Sequence, residues 1–230
     1  MKKFKISWIP VLMIVTLIVF LISACSGGGV PESIAPEEEV EATEFQGSRL
    51  TPIKDQRNNA LAGTQVIDRD TYVLTVDGLV DNPLTLTYAE LLEYPQESWL
   101  MLLNCVEGWD FRAKWTGPQL NSIFNDAGVQ SEAKIVIFYT ADVPEGYSSL
   151  DLDYIRDNNI LIALKLNDIT LPTDRGFPFQ VVAKEKFGYK WAKWVTRIEL
   201  SSDTSFRGYW EKAGYNNNAD IDGPPFEQGQ

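Results

Sequence analysis

Leu102-Leu103-Asn104-Cys105-Val106-Glu107-Gly108-Trp109-Asp110-Phe111-Arg112-Ala113-Lys114-Trp115 is the stretch around which the rest of the chain is read. An apolar run from Trp99 to Leu103 leads up to Cys105, and a glycine and two tryptophans follow it. The pattern predicts a buried strand whose end delivers a thiol into a walled pocket. A thiolate is a soft ligand that suits redox metals, and metal binding would hold the thiol deprotonated. Taken alone, a single cysteine at a strand end is more often an ordinary small core residue, and both readings stay open at this point.

Composition narrows the choice. The chain has 230 residues, and removal of a leader and a polar linker leaves about 180, enough for one domain with a full core. It contains 7 Trp, 9 Tyr and 11 Phe, too aromatic a body for disorder. It contains no histidine. That removes Ser-His-Asp and Cys-His hydrolysis, imidazole-built zinc sites and His-ligated haem. The formal charge is −12; without Lys2, Lys3 and Lys5 of the leader, 17 basic residues face 32 acidic ones, a net of −15. Phosphate neutralisation needs Lys/Arg patches, so nucleic acid is not an expected partner. The acidic surface suits a basic redox partner or serves solubility alone.

The N-terminus reads as an export signal over residues 1–24: basic to Lys5, apolar from Trp8, then small residues before Cys25. Leu21-Ile22-Ser23-Ala24-Cys25 resembles the bacterial lipobox, which implies lipidation at Cys25, a lipid anchor in the cell membrane and an extracytoplasmic domain. The apolar run is short for a full membrane span. Residues 25–49, rich in Gly, Pro and Glu, are expected to form an acidic flexible tether. The folded domain is expected over 50–230.

Within it, strands are predicted at Tyr72–Val76, Leu84–Leu86, Trp99–Asn104, Ile135–Tyr139, Ile160–Leu166, Phe177–Val182 and Trp194–Leu200. Short helices are predicted at Tyr88–Tyr94, between Pro118 and Gly128, and near Leu150–Arg156. Many strands, short helices and no regular alternation predict a mixed, β-sheet-rich α+β fold. There is no dinucleotide fingerprint or phosphate-binding P-loop.

The ordered landmarks resemble the oxidoreductase molybdopterin-binding domain of the sulfite oxidase family, in its bacterial reductase-like branch. They are Cys105-Val106-Glu107-Gly108-Trp109, Trp115-Thr116-Gly117-Pro118, Phe138 to Asp142, Glu145 to Leu150 and Leu161-Ile162-Ala163. They continue with Gly176-Phe177-Pro178-Phe179, Phe187 to Val195, Gly208-Tyr209-Trp210 and Gly214-Tyr215. The resemblance covers about Asp70 to Tyr215 and implies the sulfite oxidase molybdopterin-binding fold. It implies molybdenum-molybdopterin as cofactor, with Cys105 as metal ligand and catalytic residue. Thr140, Lys190, Trp191, Ala192 and Lys193 would hold the pterin and its phosphate, and Asn58 or Asn59 would touch the pterin. Gln180 stands where the family has an arginine that supports the cofactor. On the substrate side stand Glu107 as a proton-transfer group if burial raises its pKa, Tyr147, and Arg112 as an anion attractor.

The reading is therefore a molybdopterin-dependent oxidoreductase, a membrane-anchored lipoprotein that moves an oxygen atom or electrons between a small-molecule substrate and a separate electron-transfer protein. A monomer is expected, since no immunoglobulin-like dimerisation segment follows Tyr215. The alternative is a non-redox ligand-binding lipoprotein that keeps the fold without the cofactor. A third reading is an electron-transfer or assembly subunit. The leader carries Lys2-Lys3 where the export route of cofactor-loaded proteins uses two arginines.

Overall fold

The computed structural model describes residues 38–227. The expected leader, Cys25 and residues 25–37 of the expected tether lie outside them. Its remainder, 38–49, belongs to the body. A two-stranded hairpin, β1 (Glu44–Phe45) and β2 (Ser48–Arg49), turns at Gln46-Gly47. The Glu39 carboxylate accepts from Thr170 N and Oγ1, both at 2.7 Å, and Glu41 Oε1 accepts from Ile53 N at 2.7 Å and Asn167 Nδ2 at 3.2 Å. Acidic residues that read as solvating charge are here acceptors for donors of the folded body, which therefore extends back to at least Glu38.

The chain then runs β3 (Val73–Gly78), β4 (Leu84–Thr87) and α1 (Tyr88–Glu93). Thr87 and Glu90 form a reciprocal capping box, Glu90 N donating to Thr87 Oγ1 at 3.2 Å and Thr87 N to Glu90 Oε2 at 2.7 Å, which fixes where α1 starts. β5 (Gln96–Asn104) and β6 (Asp110–Pro118) form a nine-residue antiparallel hairpin. α2 (Leu120–Ala127) buries Leu120, Ile123 and Phe124 and ends at Gly128 in the left-handed conformation. Next come β7 (Ile135–Thr140), β8 (Ser148–Asp151), α3 (Leu152–Asn158), β9 (Leu161–Ala163), β10 (Lys165–Leu166) and β11 (Ile169–Thr170). β12 (Gln180–Val182), β13 (Val195–Ser201) and the short α4 (Tyr209–Lys212) complete the order.

Two larger sheets organise the body. One has the order β4-β3-β13-β7-β8, with β3 and β13 parallel and the other neighbours antiparallel. The other has the order β11-β10-β6-β5, all antiparallel. β9 and β12 pair separately. Leu74, Val76, Val136, Phe138, Ile198 and Leu200 send alternate side chains of the first sheet into one core shared with α2 and α3. The architecture is the expected α+β, sheet-rich with short helices.

Three element expectations change. Trp99–Asn104 lies in a strand, but an edge one: Trp99 and Met101 are half-buried and Leu102 is exposed. Ile160–Leu166 divides into β9 and β10, which pair in different sheets. Only Gln180–Val182 of the Phe177–Val182 run pairs as a strand. β6 was not anticipated at all; its residues read as motif rather than as the alternation Phe111-Ala113-Trp115 that its inward face shows.

Candidate active site

The β5–β6 hairpin positions Cys105. Cys105 N donates to Trp109 O at 2.9 Å and Gly108 N donates to Cys105 O at 3.0 Å, so Cys105 opens the tight turn at the hairpin tip. Phe187 bridges to Asn104 in parallel fashion, bringing the 187–191 turn beside it. The approach is close at Gly188, where a Cβ would lie 3.2 Å from Leu103 Cδ2 and 3.4 Å from Asn104 O. Cys105 is left half-buried on a cleft enclosing about 700 Å³, mouth included. Trp109, Phe111, Tyr147, Tyr189, Trp210 and Tyr215 wall it. Burial pushes the Cys105 thiol up, chiefly through desolvation, with the Glu107 charge adding to it. Behind it, Trp109 and Phe111 stack at 6.4 Å and Trp115 meets Trp191 edge-on at 5.4 Å, an aromatic spine that holds the hairpin.

One side of the cleft is cationic. Lys193, Arg57 and Arg175 line it with Asn58, Asn59 and Gln180. Lys193 Nζ donates to Asn58 Oδ1 at 2.6 Å and to Asn59 O, and sits 4.3 Å from the Trp194 ring centre. Burial pushes its ammonium down to about 8, although Asp142 pulls the other way. Arg175 is buried and clamps the 53–57 segment: its guanidinium donates to the carbonyls of Arg57 (2.8 Å), Gln56 (2.7 Å) and Ile53 (3.1 Å). Its Nε is buried without a hydrogen bond, 3.5 Å from Asp174 Oδ2. An adjoining recess shares Lys193, Asn58, Asn59, Glu107, Tyr147 and Trp210 and adds Asp142 and Trp194.

The expected site residues divide. Cys105, Glu107, Tyr147, Asn59, Gln180, Trp191 and Lys193 meet at the cleft. Arg112 does not: period-two alternation on β6 turns it away from the face that carries Phe111 and Ala113, and it is exposed. Lys190 does not line the cleft either. Its ammonium is buried against Glu211 Oε1 at 2.5 Å, which leaves it no charge to offer a phosphate. Ala192 is buried and its carbonyl accepts from Val181 N, joining the 191–193 segment to β12. Thr140 is buried at the end of β7, donating to Asp142 Oδ1 at 2.7 Å and accepting from Val143 N, so it shapes the turn beside the recess.

Glu107 also differs from expectation. It is exposed, and its carboxyl is held low by the Trp109 indole, whose N–H donates to Oε2 at 2.9 Å, and then by Asn59. It is a carboxylate at neutral pH, not a stored proton. Tyr147 is the opposite case, with burial pushing its phenol far up so that it keeps its proton.

Arg57, Arg175, Trp109, Tyr189, Trp210 and Tyr215 were not anticipated as cleft residues. The last four stand inside motifs already noted, and their aromatic character was the available signal. Nothing local marks Arg57 or Arg175, whose place depends on a loop more than 110 residues away in sequence.

Among the described residues no three Cys, Asp or Glu side chains converge to hold a metal. A metal at Cys105 would therefore draw its other ligands from an organic cofactor. The donor set suits such a group: one soft thiol, flat aromatic walls, and an ammonium and guanidinium on one side for an anionic tail.

Comparison with known proteins agrees. The family described as oxidoreductase molybdopterin binding domain matches residues 61–210. A protein of Azospira oryzae, provisionally named protein-methionine-sulfoxide reductase subunit YedZ1, is 32% identical over 150 residues, 65% of this chain and 56% of that one. The uncharacterized oxidoreductase YuiH of Bacillus subtilis is 31% identical over 155 residues, 66% of this chain and 76% of that one. The sulfane dehydrogenase SoxCD of Paracoccus pantotrophus superposes with a TM-score of 0.58 at 24% identity, over 61% of this chain and 41% of that one. The match thus spans little more than half the length of the Azospira oryzae relative and less than half of the SoxCD chain.

Proposed function

The chain belongs to the oxidoreductase molybdopterin-binding family of sulfite oxidase relatives, and from that premise we propose that it reduces a neutral sulfoxide outside the cytoplasm, with electrons from a separate protein. The observation that carries the substrate class is the rim of Cys105. It combines aromatic walls with the ionised Glu107, while Arg112, the one cation expected to attract an anion there, faces away. An oxo-anion would meet the Glu107 carboxylate at that rim, while the cleft's cations, Arg57 and Lys193, stand on the side proposed for the pterin and its phosphate; a neutral, sulfur-bearing molecule would meet ring edges and faces that suit it. The name of the Azospira oryzae relative points to the same chemical class.

Cys105 Sγ would be the protein's ligand to molybdenum, and Lys193 and Arg57, with the Asn58–Asn59 segment, would hold the pterin and its phosphate. Bound there, the cofactor supplies two-electron exchange of an oxygen atom. The overall balance is sulfoxide plus two electrons and two protons to thioether plus water. Tyr147, which keeps its phenolic proton, donates a hydrogen bond to the oxygen of the substrate. Trp210, Tyr189 and Tyr215 exclude water and hold the substituents. Glu107, being ionised, serves to repel anions rather than to give a proton.

The test is reduction of dimethyl sulfoxide by the full chain with reduced benzyl viologen as donor. Turnover in the wild type and its loss in a folded Cys105→Ala variant is the expected result. Oxidation of sulfite with ferricyanide as acceptor in preference to sulfoxide reduction, or equal turnover by Cys105→Ala, contradicts the assignment.

A further inference from the structure

Behind the aromatic wall lies a buried polar cluster that this chemistry does not use. The side chains of Lys190 and Glu211 are 1% and 0% exposed, with Nζ 2.5 Å from Oε1. The same ammonium donates to Ser149 O at 3.0 Å and Asn217 Oδ1 at 3.2 Å, and Ser148 Oγ donates to Glu211 Oε1 at 2.6 Å. The cluster thus ties together the 187–191 turn, the start of β8, α4 and the 216–217 loop.

Three of these segments carry a cleft-lining aromatic immediately beside their cluster member: Tyr189 next to Lys190, Tyr147 next to Ser148, and Trp210 next to Glu211. The fourth holds one of those rings by its hydroxyl, Tyr189 donating to Asn216 O at 2.7 Å. Tyr209 N donates to Tyr147 O at 2.8 Å, locking α4 to β8. Trp210 and Tyr189 each meet Tyr215, with ring centres at 5.2 and 5.1 Å.

A buried ion pair adds little stability over apolar side chains of equal volume, because desolvation of both charges offsets their attraction. What it adds is direction: an ammonium with three donors requires three acceptors at fixed places. We propose that the Lys190–Glu211 pair is a positioning device that sets the spacing of Tyr147, Tyr189 and Trp210 around Cys105, and so determines which sulfoxides are accepted. The substrate class rests on the functional reading above; the wall spacing does not.

The test compares the cofactor-loaded full chain with a Lys190→Met/Glu211→Leu double variant, which removes both charges and keeps apolar volume. kcat and KM are measured for dimethyl sulfoxide and for methyl phenyl sulfoxide. The double variant should melt near the wild type. Its preference between the two substrates should shift by about tenfold or more, through KM, because wall displacements of this kind are costly at a reacting centre. An unchanged preference in a folded, loaded double variant overturns the proposal. Should that variant fail to fold, Glu211→Gln, which keeps the shape and one set of hydrogen bonds, is scored by the same criterion. Should the wild type reduce neither sulfoxide, the functional reading fails. The spacing proposal is then decided by labelling Cys105 with iodoacetamide and N-phenylmaleimide. Loss of size discrimination in the variant supports it, and unchanged discrimination overturns it.

Discussion

At the scale of single residues the site turns on two groups. Cys105 was legible because nothing else in the body carries a thiol and an unusual run of tryptophans follows it. Lys190 and Lys193 were not separable: both stand in one basic-aromatic segment, and only the fold reveals that Glu211, 21 residues downstream, engages the first and leaves the second to the cleft. Lys193 carries a pH signature. Its depressed value, about 8, means that between pH 8 and its ordinary value of 10.5 the unfolded chain holds a proton the folded chain lacks. Stability therefore gains from this group as pH rises through that window. Anion holding runs the other way, present below pH 8 and lost above it. Cofactor uptake by the full chain, taken relative to Lys193→Met so that the opposite pull of the Cys105 thiol cancels, should fall as pH passes 8, by at most about tenfold per unit for one linked proton. Below pH 8, Lys193→Met should weaken uptake by about ten- to a hundredfold, the worth of one charge-assisted hydrogen bond. A ratio of wild-type to Lys193→Met uptake, measured by released pterin, that stays constant to pH 9.5 would count against the role.

At the scale of elements, the hairpin that bears Cys105 was half legible. The apolar run predicted its first strand but not its exposure, since burial on an edge depends on neighbours that only topology supplies. β6 was overlooked because Gly108, Asp110 and alternating charges mask its inward row of Phe111, Ala113 and Trp115. The landmark Trp115-Thr116-Gly117-Pro118 has a packing reason in the structure. A Cβ on Gly117 would lie 1.8 Å from Ile162 O, where β9 crosses the hairpin. Gly117→Ala should destabilise the fold by about 3 kcal/mol, because backbone rather than a pliant side chain must yield. A thermal melt within a degree or two of the wild type would show that the crossing is looser than described.

At the scale of the whole molecule, fold class followed from short strands, short helices and their irregular order, and the structure is of that class. The starting point of the body did not follow, because Glu39 and Glu41 act through long-range hydrogen bonds that composition cannot express. Among the described residues no helix is long and apolar enough to cross a membrane. The proposed anchor rests on Cys25, and Cys25→Ser should move the protein from the membrane to the soluble fraction of its host; unchanged fractionation would refute lipidation there. The central claim is that the cleft at Cys105 holds molybdenum and a pterin. Metal and pterin content should be measured on the full chain and on Cys105→Ala, both taken from a host that makes the cofactor. Near-stoichiometric molybdenum and pterin in the wild type, with metal lost from the folded variant, is the expected result. A wild-type chain with neither, from a host whose other molybdenum enzymes are loaded, would contradict the claim and leave Cys105 an ordinary half-buried thiol.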